Sequence, residues 1–130
     1  QIAIKPAKPF AFGLIGATPV FGLPGNPVSS MVSFELFARA AIGFMAGYDD
    51  TDLPLLRAIS EDTLGHGPDG KTHFLRVEGR IDDTDRWHVR RAGGQGSHQL
   101  TAMARADALA LAPDGVEIEP GDEVRILPLR

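Results

Sequence analysis

The chain has 130 residues, 43% of them apolar and 23% charged, a composition suited to a packed core and unlike that of disordered or fibrous chains. Lys and Arg number 13 against 17 Asp and Glu, a net charge of −4, which excludes a nucleic-acid binder working through bulk positive charge. The lack of cysteine excludes disulfide scaffolds, thiolate zinc sites and thiol nucleophiles, and it fits a reducing compartment.

Residues 2–4 and 10–14 alternate or run apolar, with Pro6 and Pro9 interrupting between them, so they predict strand, extended loop, strand. A further short buried strand is expected over 19–23. The turn-rich Gly22-Leu23-Pro24-Gly25-Asn26-Pro27 follows. Asn26 suits an N-cap and Pro27 the first helical turn. Val28, Met31, Val32, Leu36, Phe37, Ala40, Phe44 and Met45 recur near a 3.6-residue period, predicting a helix to residue 45 with Gly47 as its C-terminal cap. Ser29, Ser30, Ser33, Glu35 and Arg39 interrupt this apolar stretch, so it is read as a soluble helix rather than a membrane span. The chain opens on a strand without an initiating methionine and is read as a piece of a longer protein.

Residues 48–53, with Asp49, Asp50 and Asp52, read as a linker. Beyond it short β-like segments are expected over 55–59, 72–81, 87–91, 108–112 and 123–129, with a short helix over 100–105. Gly and Asp turns separate them, as in a small barrel or sandwich. The charge divides at the same point: residues 1–47 carry three basic and one acidic residue (+2), and residues 48–130 carry ten and sixteen (−6).

Three places carry candidate chemistry. In Lys5-Pro6-Ala7-Lys8-Pro9 the prolines keep both lysines out of helical conformation; the ammonium groups are either solvated or paired point charges for an oxyanion. At the turn into the helix, Gly25, Asn26, Ser29 and Ser30 surround an N-terminus that is either an anion site or simply a well-capped turn. Gly93-Gly94-Gln95-Gly96-Ser97-His98 is either a substrate-contacting loop or a barrel corner. The adjacency of Ser97 and His98 does not make a catalytic pair. The Asp-Asp-Thr-Asp runs at 49–52 and 82–85 lack the central glycine and late glutamate of a calcium loop and read as solvated. His66, His73, His88 and His98 follow no metal-binding spacing, so no metal site is expected within this chain.

Ala3-Ile4-Lys5-Pro6-Ala7-Lys8-Pro9-Phe10, then Gly22-Leu23-Pro24-Gly25-Asn26-Pro27-Val28-Ser29, then Gln95-Gly96-Ser97 with Leu100-Thr101-Ala102-Met103-Ala104, resemble the MoeA/gephyrin family, whose members are molybdopterin molybdenumtransferases. The resemblance covers nearly the whole chain in order. It implies that residues 1–47 are an α/β remnant, the C-terminal part of a three-layer molybdopterin-binding domain, and that residues 54–130 are a small all-β barrel domain. It also implies a cytoplasmic transferase of molybdenum cofactor biosynthesis that inserts molybdate into adenylated molybdopterin with release of AMP, assisted by magnesium.

By that resemblance Lys5 and Lys8 match the family's paired basic positions and are the expected catalytic residues. Pro24 and Pro27 match the prolines that shape the loop at the helix start, and Arg76 and Ser97 match polar positions of the barrel; with Gly25, Asn26 and Ser29 they form the expected substrate-binding set. The implied partner is a second subunit whose barrel closes the cleft of the first, in a homodimer, with a contact to the adenylyltransferase of the preceding step. Neither nucleic acid nor membrane is expected as a partner. Ala7 stands where the family usually has glycine, Gln1 where relatives often carry a basic residue, and the acidic residues expected to hold magnesium lie upstream of Gln1. A gephyrin-like scaffold, or partner-binding module without catalysis, is the alternative. An adenylyltransferase is disfavoured by the attached barrel.

Overall fold

The computed structural model describes residues 3–50, 52–96 and 99–129. Its largest unit is a closed five-stranded barrel built from β4 (Leu56–Ser60), β6 (Thr72–Ile81), β7 (Trp87–Arg91), β8 (Ala108–Ala112) and β10 (Glu123–Pro128). Neighbouring strands run β6-β7-β4-β10-β8, and a second pairing of β6 with β8 closes the ring. The ten residues of β6 make closure possible. Its first half pairs with β8, His73 opposite Ala112 through Val77 opposite Ala108. Its second half pairs with β7, Val77 opposite Arg91 through Ile81 opposite Trp87. The two-residue strands β5 (Leu64–Gly65) and β9 (Glu117–Ile118) pair at one end.

Strand alternation fills the interior. Leu75 and Val77 from β6, Val89 from β7, Ala108, Ala110 and Ala112 from β8, and Val124 and Ile126 from β10 share one buried cluster. Three inward alanines on β8 leave room for the larger residues opposite. Trp87 packs on this cluster and lies across Gly79, where an added Cβ would stand 2.5 Å from the indole. The close approach explains a glycine in mid-strand.

The N-terminal part supplies β1 (Ile4–Lys5), a hairpin of β2 (Ala11–Ile15) and β3 (Thr18–Gly22), and the helix α1 (Pro27–Met45). Gly16, at φ 60°, makes the hairpin turn. Asn26 caps the helix as expected: its Oδ1 accepts from the amides of Val28 at 3.1 Å and Ser29 at 3.4 Å. The helix is not uniform, because residues Phe34–Ala38 form a π turn in which the Arg39 amide donates to the Phe34 carbonyl. The turn shifts the helical register. Val28, Val32 and Leu36 before and within it are buried, whereas Ile42, Phe44 and Met45 beyond it are exposed.

Two features depart from the expectations. The first strand pairs with the barrel, running parallel to β6 with Ile4 opposite Thr72 and Lys5 opposite His73. The start of β6 offers this edge because β7 covers only residues 77–81. Residues 48–53 mark a change of architecture but not a break in packing. Val28, Val32 and Leu36 of α1 form one cluster with Phe74, Met103, Leu109 and Leu127 of the barrel part, and Leu53 and Leu55 pack on it. Fully burying one such side chain stabilises by about 1.5–3 kcal/mol, so helix and barrel share a substantial core. By length and composition α1 could cross a membrane; here its first half is seated on the outside of the barrel.

The short helix α2 (Leu100–Arg105) buries Ala102 and Met103, Met103 joining the same cluster as the first half of α1. It begins just after the glycine-rich loop at residues 93–96.

Candidate functional site: a lysine loop, a capped helix and a loop held by Arg76

Lys5 and Lys8 are both exposed, on either side of a fully buried Ala7. Pro6 and Pro9 each follow a cis peptide bond. Among the described residues Asp85 alone of the non-glycine residues has positive φ, so Ala7, in place of the family's usual glycine, meets no left-handed strain. The loop is anchored at both ends. Lys5 lies in β1 beside His73, and Phe10 packs on Phe37 of α1 with ring centroids 4.5 Å apart. The two ammonium groups are thus carried on a fixed base and point into solvent, an arrangement suited to meeting an anion without moving the backbone.

At the helix start Pro24 and Ser29 are buried, Asn26 is half-buried, and Gly25 and Pro27 are exposed. Asn26 takes the Val28 and Ser29 amides through its side chain, and its carbonyl takes the Ser30 amide at 2.9 Å. The first-turn amides that would meet an anion are therefore already bonded, and the turn is a closed cap. A ligand there would meet the exposed Gly25 backbone and the positive end of the helix dipole.

Arg76 sits where alternation puts it, on the outer face of β6, yet it is only 1% exposed. The loop before α2 folds over it. Arg76 Nη2 donates to the carbonyls of Gly94 at 2.9 Å and Gly96 at 3.1 Å. Its backbone amide donates to Gln95 Oε1 at 2.9 Å, and Gln95 Nε2 donates to the Arg76 carbonyl at 3.0 Å. Arg76 Nε is buried without a hydrogen-bond partner, and burial pushes the guanidinium below its ordinary value. Arg76 therefore positions the glycine loop. Ser97 and His98 lie outside the described residues. Gln95, one of several polar residues in that loop, takes a place opposite a strand residue that becomes visible only once the loop is folded.

No hydrogen bond or ion pair joins these three units among the described residues. A concavity of about 670 Å³ lies elsewhere, between the second half of α1 and the C-terminal strand, lined by Arg39, Tyr48, Leu53 and Leu129 among others. The histidines differ more from expectation. His66 and His73, seven residues apart, stack with ring centroids 3.3 Å apart, and Asp69 Oδ2 lies 3.0 Å from His73 Nε2. Burial is the main cause holding His73 below its ordinary value; the nearby His66 and Lys5 act in the same direction, against the pull of Asp69. A tight turn brings these residues together, which residue spacing alone does not display.

A family model described as the MoeA C-terminal region (domain IV) matches residues 65–129, the part that holds most of the barrel. Molybdopterin molybdenumtransferase 2 of Mycobacterium tuberculosis is 35% identical over 127 residues, 97% of this chain and 30% of the relative. Molybdopterin molybdenumtransferase of Haemophilus influenzae is 33% identical over 130 residues, covering 98% of this chain and 32% of that protein. The crystal structure of a molybdopterin biosynthesis moeA protein from Pyrococcus horikoshii OT3 superposes with a TM-score of 0.71 at 26% identity, covering 95% of this chain and 30% of that one. The chain spans about a third of the length of these relatives.

Proposed function

The chain belongs to the MoeA C-terminal region (domain IV) family, and from that premise we propose that it is the C-terminal part of a molybdopterin molybdenumtransferase that inserts molybdate into adenylated molybdopterin with release of AMP. The observation that carries this reading is the match of 97% of the chain, barrel and N-terminal part together, to one third of a molybdopterin molybdenumtransferase. Residues 1–47 are then the end of a larger molybdopterin-binding α/β domain. The exposed apolar residues of that part, Phe12, Leu14, Ile15, Ile42 and Phe44 among them, agree with a surface that more protein covers.

In this reading the anionic reactants meet cationic groups held on a fixed frame. Molybdate is an oxyanion, and cleaving adenylated molybdopterin frees AMP with further negative charge. Lys5 and Lys8, exposed on an anchored loop, stabilise charge as it develops; such preorganised donors are among the larger contributions to catalysis. Pro24, Gly25, Asn26, Pro27 and Ser29 shape the wall beside them. Arg76 sets the Gly93–Gly96 loop, and Ser97, outside the described residues, completes the expected substrate-binding set. The subunits act as a cytoplasmic homodimer, the barrel of one closing the cleft of the other, in contact with the adenylyltransferase that supplies the substrate.

The residues described here do not fit a magnesium ion, which takes near-octahedral oxygen ligation. The one grouping of metal-ligating side chains among them offers two histidines and one aspartate, and no step is assigned to magnesium in this chain. The 130-residue chain alone is accordingly expected to be inactive.

The test is AMP release from adenylated molybdopterin by the full-length gene product, supplied with molybdate and magnesium and followed together with formation of the molybdenum cofactor. Molybdate-dependent formation of both products supports the reading. A purified, folded full-length protein that forms neither product refutes it and favours a scaffold without catalysis.

A further inference from the structure

We propose that His66, Asp69 and His73 form a binding site for a divalent transition-metal ion of the zinc class. The proposal is independent of the transferase reading. One ring nitrogen of each histidine and one carboxylate oxygen of Asp69 all lie within 4.8 Å of one another. Ligands at about 2.0–2.2 Å from a shared ion stand at most about 4.4 Å apart, so the three donors come within reach of one ion once the stacked His66 and His73 rings tilt to aim their lone pairs at it.

The hydrogen bonding already resembles that of a ligand set. His66 Nδ1 lies 2.6 Å from the Gly67 carbonyl oxygen, which can only accept, so Nδ1 is the donor and in the neutral ring the lone pair is on Nε2. Nε2 is buried, and no group of the described residues bonds to it. A buried acceptor without a donor calls for an occupant, and a metal ion supplies one. Donation from the other ring nitrogen to a backbone carbonyl is the usual device that fixes the orientation of a metal-bound histidine. On the other side, His73 Nε2 shares a proton with Asp69 Oδ2 at 3.0 Å, and a metal ion can replace that proton.

The frame is also built. Asp114 Oδ1 accepts from the amides of both Asp69 at 2.8 Å and Gly70 at 3.0 Å, clamping the turn that presents the carboxylate. Gly65, immediately before His66, has φ +114° and lies so close to the Val116 carbonyl that a side chain there would collide with it. His73 is held in the barrel by pairing with Ala112. The ligands thus come from a strand end, a clamped turn and a barrel strand.

The surrounding charge selects the class of ion. Lys71 Nζ lies 3.7 Å from Asp69 Oδ2, and Lys5 is the register partner of His73. With one carboxylate and two ammonium groups nearby, attraction by charge alone is weak. Magnesium and calcium, which depend on several oxygen ligands, are disfavoured. Zinc, cobalt, nickel and copper gain from the two imidazoles.

The experiment titrates Zn²⁺ into the whole chain without a histidine tag, by calorimetry, with Co²⁺ absorption as a second probe. One Zn²⁺ per chain, displaced by a chelator, is expected. His66→Ala and His73→Ala should each weaken binding at least about tenfold and Asp69→Asn should weaken it as well, while His88→Ala leaves it unchanged. Because a ligand variant can fail to fold, imidazole nitrogen resonances of the unaltered chain are followed in parallel. Zn²⁺ should shift those of His66 and His73. Absence of a one-to-one complex, affinity that survives in folded ligand variants, or shifts confined to other histidines would overturn the proposal.

Discussion

Arg76 and Gln95 complete each other's hydrogen bonding as two strand residues would: the Arg76 amide donates to Gln95 Oε1 at 2.9 Å, and Gln95 Nε2 returns to the Arg76 carbonyl at 3.0 Å. A side-chain amide thereby substitutes for a missing neighbour strand over one residue of the outer barrel. The same loop supplies the Gly94 and Gly96 carbonyls that receive the Arg76 guanidinium. Residues 92–96 thus meet the Arg76 backbone and its Nη2, the Ala92 amide also donating to the Arg76 carbonyl at 3.0 Å, while Nε stays without a partner.

Gln95→Glu tests this relationship with almost no change of shape. A carboxylate accepts from the Arg76 amide but cannot donate to the Arg76 carbonyl. The Arg76 carbonyl still keeps the Ala92 amide at 3.0 Å, whereas Gln95→Ala leaves the buried Arg76 amide without its acceptor, which costs about 1–3 kcal/mol. Chemical denaturation should show a loss of that order for Gln95→Ala, with Gln95→Glu also less stable than the unaltered chain near neutral pH. Unchanged midpoints in both variants would mean that the loop does not depend on the pair.

Leu109→Ala addresses the packing of helix on barrel. Leu109 is fully buried and belongs to the cluster that joins α1 to the barrel, and truncating such a residue costs about 2–5 kcal/mol. Trp87 is the single tryptophan and reports on the barrel, while α1 dominates the helical circular dichroism. Both signals should move to the same lower midpoint, because the cluster is shared. Two transitions, with only one displaced, would show that residues 1–47 and 54–130 unfold independently.

Much of the barrel was legible in the sequence. Residues 72–81, 87–91 and 108–112 are strands and 100–105 a helix, as alternation and turn residues predict, because each of those signals is local. The closure of the ring was not legible, since it rests on β6 changing partners at Val77, a long-range event. Arg76 shows the same limit at the site. A charged residue on the outer face of a strand reads as exposed, and only the folded loop reveals that it is covered. The His66, Asp69 and His73 grouping was missed because its residues converge across a turn rather than along one element. The two-residue strands β5 and β9 are too short for any periodicity, and the π turn in α1 leaves the apolar repeat nearly intact.

Asp82 should give the chain part of its acid sensitivity. Its carboxylate is held well below the usual range, first by the Thr84 hydroxyl, then by the Arg86 amide and His88, with Thr84 Oγ1 at 2.7 Å and His88 Nε2 at 2.8 Å. A depressed folded-state value means the contribution is complete above the unfolded carboxylate value of about 4. It is lost as pH falls from there toward the folded value. Asp82→Asn should therefore be less stable than the unaltered chain at pH 7, with the gap narrowing as the pH drops below about 4. A gap that stays constant with pH would remove Asp82 from the acid response.

The most direct test of the functional reading is the rate of molybdenum cofactor formation by the full-length protein carrying Lys5→Ala or Lys8→Ala. Both lysines are exposed and neither ammonium group makes a hydrogen bond or ion pair among the described residues, so the melting temperature should stay where it is. If they stabilise charge at the reacting anion, each substitution should lower turnover by about 10²-fold, the scale of losing one preorganised donor. Turnover equal to that of the unaltered enzyme in both variants would contradict the account and return the two lysines to the role of solvated loop residues.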